Sequence, residues 1–298
     1  MASNVSREKL LFYAAAGALG GFAAWGLSEP FAGLNGTILG IPAVWWHDAI
    51  MGALVGALIS AFLASIETLS VGQLRQAARR FVVGGAIGAA GGALGQLVGE
   101  GAFGLLGGFY GRILGWGLLG IAVGLSVGSA SGSAARRRNG AIGGVLGGAL
   151  GGFFYQSLTA ISYIPQAFGR AIAIIVLGAL IGFFIGLVGE LLKRGWLMVV
   201  RSQSRNAREG REYPLLKGVT IIGRAEESDI GLFGDQTVLG NHAIIRREGK
   251  NFIINPTGGQ IFVNRQSVAG RYALKSGDRL EVGGTLFLFR DRAQAANR

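Results

Sequence analysis

The chain has 298 residues, half of them hydrophobic, with 54 glycines, no cysteine and a net charge of +12. Glycine far exceeds its usual share of about 7%, but it lies inside apolar runs and follows no three-residue period, which excludes collagen and low-complexity disorder and points to close-packed membrane helices. Without cysteine there are no disulfides, thiolate metal sites or thiol nucleophiles, and His47 and His242 stand too far apart in sequence to form a metal pattern.

A short polar stretch, Met1 to Lys9, precedes Leu10–Ser28, a run of 19 residues without a charge. As a helix it extends roughly 28 Å, enough for a bilayer core. Arg7 and Lys9 ahead of it also fit a signal peptide, but the run is long for one and further spans follow. These are expected at Ala49–Ile66, Phe81–Gly99, Ile113–Gly132, Gly140–Ala160 and Ala171–Gly189. Phe31 to Trp46 forms an apolar loop whose Trp45 and Trp46 suit a membrane interface. Gln96, Glu100, Tyr110 and Arg112 fall at span ends, and no span carries a convincing transport site.

Charge sorts the linkers. Arg75, Arg79 and Arg80 lie between spans two and three, Arg136, Arg137 and Arg138 between spans four and five, and Lys193 and Arg194 follow span six. The alternate linkers hold only Arg112 and Arg170 beside Glu29, Asp48 and Glu100. The positive-inside rule then places both termini in the cytoplasm, in a plasma or inner membrane. Basic residues precede spans one, three and five, and glycine patterns recur, so the spans read as three helical hairpins in parallel repeat. Glycine recurs at every fourth position in Gly84–Gly88–Gly92, Gly120–Gly124–Gly128–Gly132, Gly140–Gly144–Gly148–Gly152 and Gly178–Gly182–Gly186. Such a glycine zipper lets backbones approach where lipid supplies no hydrophobic drive. Span five has a second row, Gly143, Gly147 and Gly151, and is expected near the bundle centre.

From Gly195 onward the pattern changes. Short alternating stretches separated by turns run through Trp196–Val200, Arg211–Leu215, Val219–Gly223, Ile230–Leu232, Ala243–Arg247, Asn251–Ile254, Ile261–Val263, Tyr272–Leu274, Arg279–Val282 and Thr285–Arg290, which indicates a β-sandwich. Residues 193–298 carry 18 basic and 10 acidic side chains, net +8, against 10 and 6, net +4, before them. With no nucleic-acid motif present, phosphopeptides and the anionic surface of membrane lipid are the fitting partners.

Within this region Gly223-Arg224, Ser228-Asp229-Ile230, His242-Ala243 and Val263-Asn264 recur at a spacing that resembles the forkhead-associated (FHA) domain, a β-sandwich that typically binds phosphothreonine peptides through loops at one end. The resemblance implies that Gly223, Ser228, His242 and Asn264 are structural motif residues and that Arg224 stands where the family contacts phosphate. Phosphate recognition needs a fixed cation and surrounding donors. Here Leu239 replaces the family serine, Gly240 the following arginine, and Gly259 the later-loop asparagine. Asn241, Thr237 and Thr257 are candidate substitutes as binding residues.

The expected architecture is therefore a polytopic α-helical membrane domain over residues 1–192, an all-β sandwich of FHA type over 193–292, and a polar tail over 293–298. The expected function is that of a membrane-anchored adaptor docking a cytoplasmic protein, either threonine-phosphorylated or unmodified. The alternative is a channel or transporter regulated through the cytoplasmic domain. No nucleotide loop, metal constellation or catalytic triad occurs, so neither an enzyme nor a cofactor is expected.

Overall fold

The computed structural model describes residues 7–33, 36–106, 108–159 and 165–295. It divides into two compact units, Met1–Glu67 with Ala77–Leu192, and Thr68–Gln76 with Lys193–Arg298. Most of the polar N-terminal stretch, the end of the fifth expected span at residue 160 and tail residues 296–298 lie outside the described residues.

The helical region consists of α1 (Arg7–Ser28), α2 (Ala43–Ser70), α3 (Leu74–Leu106), α4 (Gly108–Ala130), α5 (Ala134–Thr159) and α6 (Gln166–Leu191). Among the described residues, five helical stretches are long and apolar enough to cross a membrane: Arg7–Phe31, Ala43–Ser70, Leu74–Leu105, Tyr110–Ala130 and Gln166–Leu191. The α5 helix is not among them, because it opens on three arginines and interleaves its apolar residues with glycine. Residues 34 and 35 of the loop expected from Phe31 to Trp46 lie outside the described residues, and the rest is more than a loop. It contains a small antiparallel pair, β1 (Thr37–Ile38) and β2 (Ile41–Pro42), turning through Leu39 and Gly40 at φ of 53° and 76°. Trp45 and Trp46 therefore sit in the first turn of α2, with the Trp46 indole donating to the Ile38 carbonyl at 3.2 Å.

Glycine sets how closely the helices pack. A β-carbon at Gly56 would lie 2.2 Å from the Gly88 carbonyl oxygen, one at Gly120 2.0 Å from that of Gly144, and one at Gly17 2.0 Å from that of Gly178. No side chain fits between these backbones, which join α2 to α3, α4 to α5 and α6 to α1. At the alternate contacts, glycine meets an apolar residue: Gly20 abuts Ile59 (α1 with α2), Gly95 abuts Leu119 (α3 with α4), and Gly147 abuts Ile181 (α5 with α6). Each helix thus packs on the next in sequence, and the last returns to the first. Ile59, Leu119, Leu177 and Ile181 are fully buried within one apolar cluster.

The α5 helix is not central, as its two glycine rows had suggested. One row faces α4 and the other α6, while Ile142, Leu146 and Leu150 point outward and are exposed. Two close neighbours place a helix between them in a ring as readily as at a centre.

Charged side chains tie the helix ends. Lys9 pairs with Glu190 at 2.7 Å, Tyr13 donates to Glu67 at 2.5 Å, and Arg136 pairs with the same Glu67. Arg170 pairs with Glu29 at 2.5 Å, and Trp25 also donates to Glu29. The starts of α1 and α5 thereby meet the ends of α2 and α6, as expected when successive helices alternate in direction.

The second unit is a β-sandwich. One sheet has six strands in the order β10-β9-β12-β13-β3-β4 and the other has five in the order β11-β8-β7-β5-β6. In chain order these are β3 (Gly195–Arg201), β4 (Glu212–Pro214), β5 (Val219–Gly223), β6 (Ile230–Gly231), β7 (Ala243–Glu248), β8 (Asn251–Pro256), β9 (Ile261–Val263), β10 (Gln266–Val268), β11 (Tyr272–Ala273), β12 (Arg279–Val282) and β13 (Thr285–Asp291). Alternate residues face inward, so Leu197, Ile222, Ile245, Ile254, Leu280 and Phe287 form a fully enclosed core. Phe252 and Phe289 meet edge-to-face at 5.5 Å. The strand β10 was not anticipated. It forms because Asn264 and Arg265 both adopt positive φ, 52° and 69°, closing a two-residue hairpin with β9. The expected polar tail begins as a short helical turn, α7 (Arg292–Ala295).

Candidate functional site

Three loops bring Arg224, Ser228, Thr237, Asn241, His242 and Thr257 to one end of the sandwich: 224–229 between β5 and β6, 232–242 between β6 and β7, and 257–260 between β8 and β9, whereas Asn264 lies apart from them in the β9–β10 turn. The first two are joined along their backbones. The Arg224 amide donates to the Leu239 carbonyl at 2.8 Å, the Ala225 amide to the Gly240 carbonyl at 3.2 Å, and the Ser228 hydroxyl to the same carbonyl at 3.2 Å. Gly223 makes this possible, since a β-carbon there would lie 1.9 Å from the Gly240 oxygen. Arg224 is thereby held beside Leu239, with its side chain exposed. Gly223 and Ser228 fix the loop and are themselves buried.

His242 holds the second and third loops together. Its Nδ1 accepts from the Leu239 amide at 3.1 Å, and its Nε2 lies 3.0 Å from the Gln260 carbonyl, to which it donates in the matching tautomer. Its own carbonyl accepts from the Thr257 amide at 3.0 Å. Gly259 lies against the imidazole: a β-carbon there would sit 2.2 Å from Cε1. Glycine at this position is therefore required by the ring and is more than a missing asparagine. Asn264 is structural in the same sense, since it donates to Asp278 at 2.9 Å and accepts from the Arg279 amide at 3.0 Å.

Leu239 is 46% exposed and presents an apolar surface at the mouth of the site, with Gly258 packed against its end. Asn241 and Thr257 are exposed on the flanking loops. Thr237 is drawn elsewhere. Its hydroxyl donates to Asp235 at 2.5 Å, and the other Asp235 oxygen accepts from the Gly284 amide at 2.7 Å in the turn joining β12 to β13. The structure thus gathers Arg224, Leu239, Asn241 and Thr257 on adjoining loops and commits the Thr237 hydroxyl to a buried carboxylate.

That carboxylate gives a pH dependence. Burial pushes Asp235 upward, but hydrogen bonds from the Thr237 hydroxyl and the Gly284 and Thr237 amides outweigh it and hold the carboxyl below its ordinary value. The folded-state value is then the lower one. The stabilisation is complete above the unfolded-state value, about 3.9, and disappears as pH falls through the folded-state value. In Asp235→Asn the loop 235–242 is expected to exchange its amides faster at neutral pH, by about 1 kcal/mol of lost protection per bond. It should also show a shallower loss of protection below about pH 4 than the parent chain. Parallel acid profiles in hydrogen-exchange mass spectrometry would refute this account.

One contributor comes from far away in the sequence. The second unit includes the turn Thr68–Gln76, and within it Gln73 is buried and donates from Nε2 to the carbonyls of Glu226 at 3.1 Å and Ser228 at 3.0 Å. The Arg75 amide donates to the Glu226 carboxylate at 2.9 Å. The loop that follows Arg224 is therefore held by a segment about 150 positions earlier. No local motif signals such a contact.

Residues 220–283 match the family model of the FHA domain. No curated protein matches the chain. Similar solved structures include a chain from a structural and functional analysis of phosphothreonine-dependent FHA domain interactions, 25% identical over 33% of this chain and 95% of that one, with a TM-score of 0.29. Another is the FHA domain of CT664 protein from Chlamydia trachomatis, 25% identical over 33% of this chain and 97% of that one, TM-score 0.30. A third is the FhaA FHA domain complexed with the intracellular domain of Rv3910, 24% identical over 32% and 99%, TM-score 0.28.

Proposed function

We propose, from the premise that residues 220–283 form an FHA domain, a phosphothreonine-binding protein-interaction module, that the chain is a membrane-anchored adaptor. Its sandwich docks a cytoplasmic protein through Arg224, Leu239, Asn241 and Thr257. The carrying observation is Leu239, nearly half exposed and hydrogen-bonded through its backbone to Arg224. A phosphate placed there keeps the arginine but meets a side chain that donates no hydrogen bond, whereas a mixed cationic and apolar surface suits an unmodified side chain. Each charge-assisted bond contributes about 1.5–3 kcal/mol, so the missing donors leave a phosphate preference weak or absent.

Oriented peptide libraries centred on threonine or phosphothreonine, titrated against the full chain in detergent, test this. Both libraries are expected to bind within about tenfold of each other, a difference of about 1.4 kcal/mol, and Arg224→Ala should weaken both. Tight binding of the phosphorylated library alone would overturn the docking mode in favour of phosphate reading.

The anchor in this reading crosses the membrane six times as three hairpins, with both termini cytoplasmic and the basic linkers inside. Its support is the charge alternation, the five strongly apolar helices and the end-to-end ion pairs that alternate helix direction. With single cysteines in an otherwise cysteine-free chain, an impermeant thiol reagent applied to intact cells should label Thr37→Cys and spare Ala134→Cys. The reverse pattern would invert the topology and remove the cytoplasmic partner. The channel alternative is weakened by the fully buried Ile59, Leu119, Leu177 and Ile181, which fill the interior among the described helices.

A further inference from the structure

The outer face of the five-stranded sheet carries a groove of about 180 Å3 lined by Ile244, Arg246, Glu248, Asn255, Thr257 and Arg271. Residues 244, 246 and 248 are successive outward positions of β7, and Ile244 lies opposite Asn255 on β8. Ile244 is thus the apolar floor. The single carboxylate of the groove, Glu248, is already neutralised, since both its oxygens accept from Arg271 at 2.6–2.7 Å. Arg246, Asn255 and Thr257 are different. Among the described residues, their side chains have no hydrogen-bond or ion-pair partner. A guanidinium, a carboxamide and a hydroxyl therefore line one recess with donors unspent, and its net charge is positive.

From this geometry we infer that the groove binds an acidic side chain of the docked partner, making it a specificity subsite. The inference rests on the docking reading above and extends it. Thr257 is the link, for it belongs both to the loops around Arg224 and to the groove. From His242, which holds those loops and immediately precedes β7, to Arg246 is four residues along the chain, about 13 Å at the usual strand rise. An extended peptide seated over the loops that His242 ties together therefore reaches Arg246 with a residue about four positions away, at a similar rise per residue. Glutamate or aspartate there completes the unspent donors of Arg246, Asn255 and Thr257, while its methylene rests on Ile244. The volume is several times the roughly 30 Å3 share of a water molecule, which leaves room for such a side chain.

The experiment uses the full chain in detergent and two threonine-centred peptide libraries. One carries Asp and Glu at positions two to six on either flank, and the other carries Asn and Gln at the same positions. The acidic library is expected to bind about tenfold more tightly, a margin that shrinks with added salt. In Arg246→Ala the two libraries should bind equally, and in Arg246→Glu the acidic library should become the weaker. Equal binding of both libraries to the parent chain, still weakened by Arg224→Ala, would overturn the subsite and leave the docking site standing. Binding of neither library would overturn both. A preference for acidic flanks that survives Arg246→Glu would place acidic recognition elsewhere and refute the groove.

Discussion

Gly148→Leu is expected to dismantle the helical unit, whereas Leu150→Ala leaves it nearly intact. A β-carbon at Gly148 would lie 2.3 Å from the Trp116 carbonyl oxygen and 3.1 Å from the Gly120 α-carbon, so a leucine forces α4 and α5 apart along their whole contact. Its neighbour Leu150 is 43% exposed on the outer face of α5, and its removal leaves that contact alone. Overpacking a rigid backbone contact costs about 3 kcal/mol or more, against about 1 kcal/mol or less for trimming an outward leucine in lipid or detergent. Thermal unfolding and size-exclusion profiles of the two variants in detergent provide the measurement. Matching profiles would show that the Gly144–Gly148 row does not bear the α4–α5 interface.

Gly259→Asn is the second large effect, and its direction runs against the family pattern. Asparagine at this place in the FHA pattern holds the bound peptide, so its return reads as a repair. Here any β-carbon at 259 falls 2.2–2.4 Å from three atoms of the His242 ring. The imidazole must leave, and with it go the bonds to the Leu239 amide and the Gln260 carbonyl. The expected loss is about 2–3 kcal/mol, which in a domain of this size lowers its melting temperature by about 10 °C or more. Amide exchange of segment 239–242 in the full chain should accelerate. Peptide binding should weaken along with it. Unchanged protection together with stronger phosphopeptide binding would show that the loop relaxes and accepts asparagine.

Those two substitutions also mark where the sequence was readable. Apolar runs and fourfold glycine spacing announced the helices because each element's pattern is local, and alternation with turns announced the sandwich for the same reason. The start of α2 at Ala43, six residues earlier than Ala49, was obscured because Pro42 reads as part of an apolar loop, and proline sits as easily before a helix as within a loop. The site was legible only where the motif is contiguous. Arg224 and His242 stand in recognisable runs, but Thr237 looked available until Asp235 claimed its hydroxyl. Gln73 carried no signal at all, since its partners Glu226 and Ser228 lie over 150 residues away. The meaning of Gly259 depended on a ring seventeen positions earlier, a steric relation that pattern matching does not express.

The backbone-to-backbone helix contacts have a thermodynamic consequence. Where Gly17 meets Gly178 or Gly120 meets Gly144, docking freezes no side-chain rotamers, and separating the helices in a bilayer uncovers that surface to hydrocarbon. The heat-capacity increment that accompanies exposure of apolar groups to water is then almost missing from this step. Separation of the helices accordingly has an enthalpy that hardly changes with temperature and a free energy that declines nearly in a straight line on warming. The sandwich, whose core of Phe252, Phe287 and Phe289 meets water when it opens, follows the curved profile of a soluble domain and weakens on cooling as well as on heating. One chain therefore combines two units with different thermal laws, and in a bilayer the helical unit holds together at low temperature where the sandwich begins to lose stability.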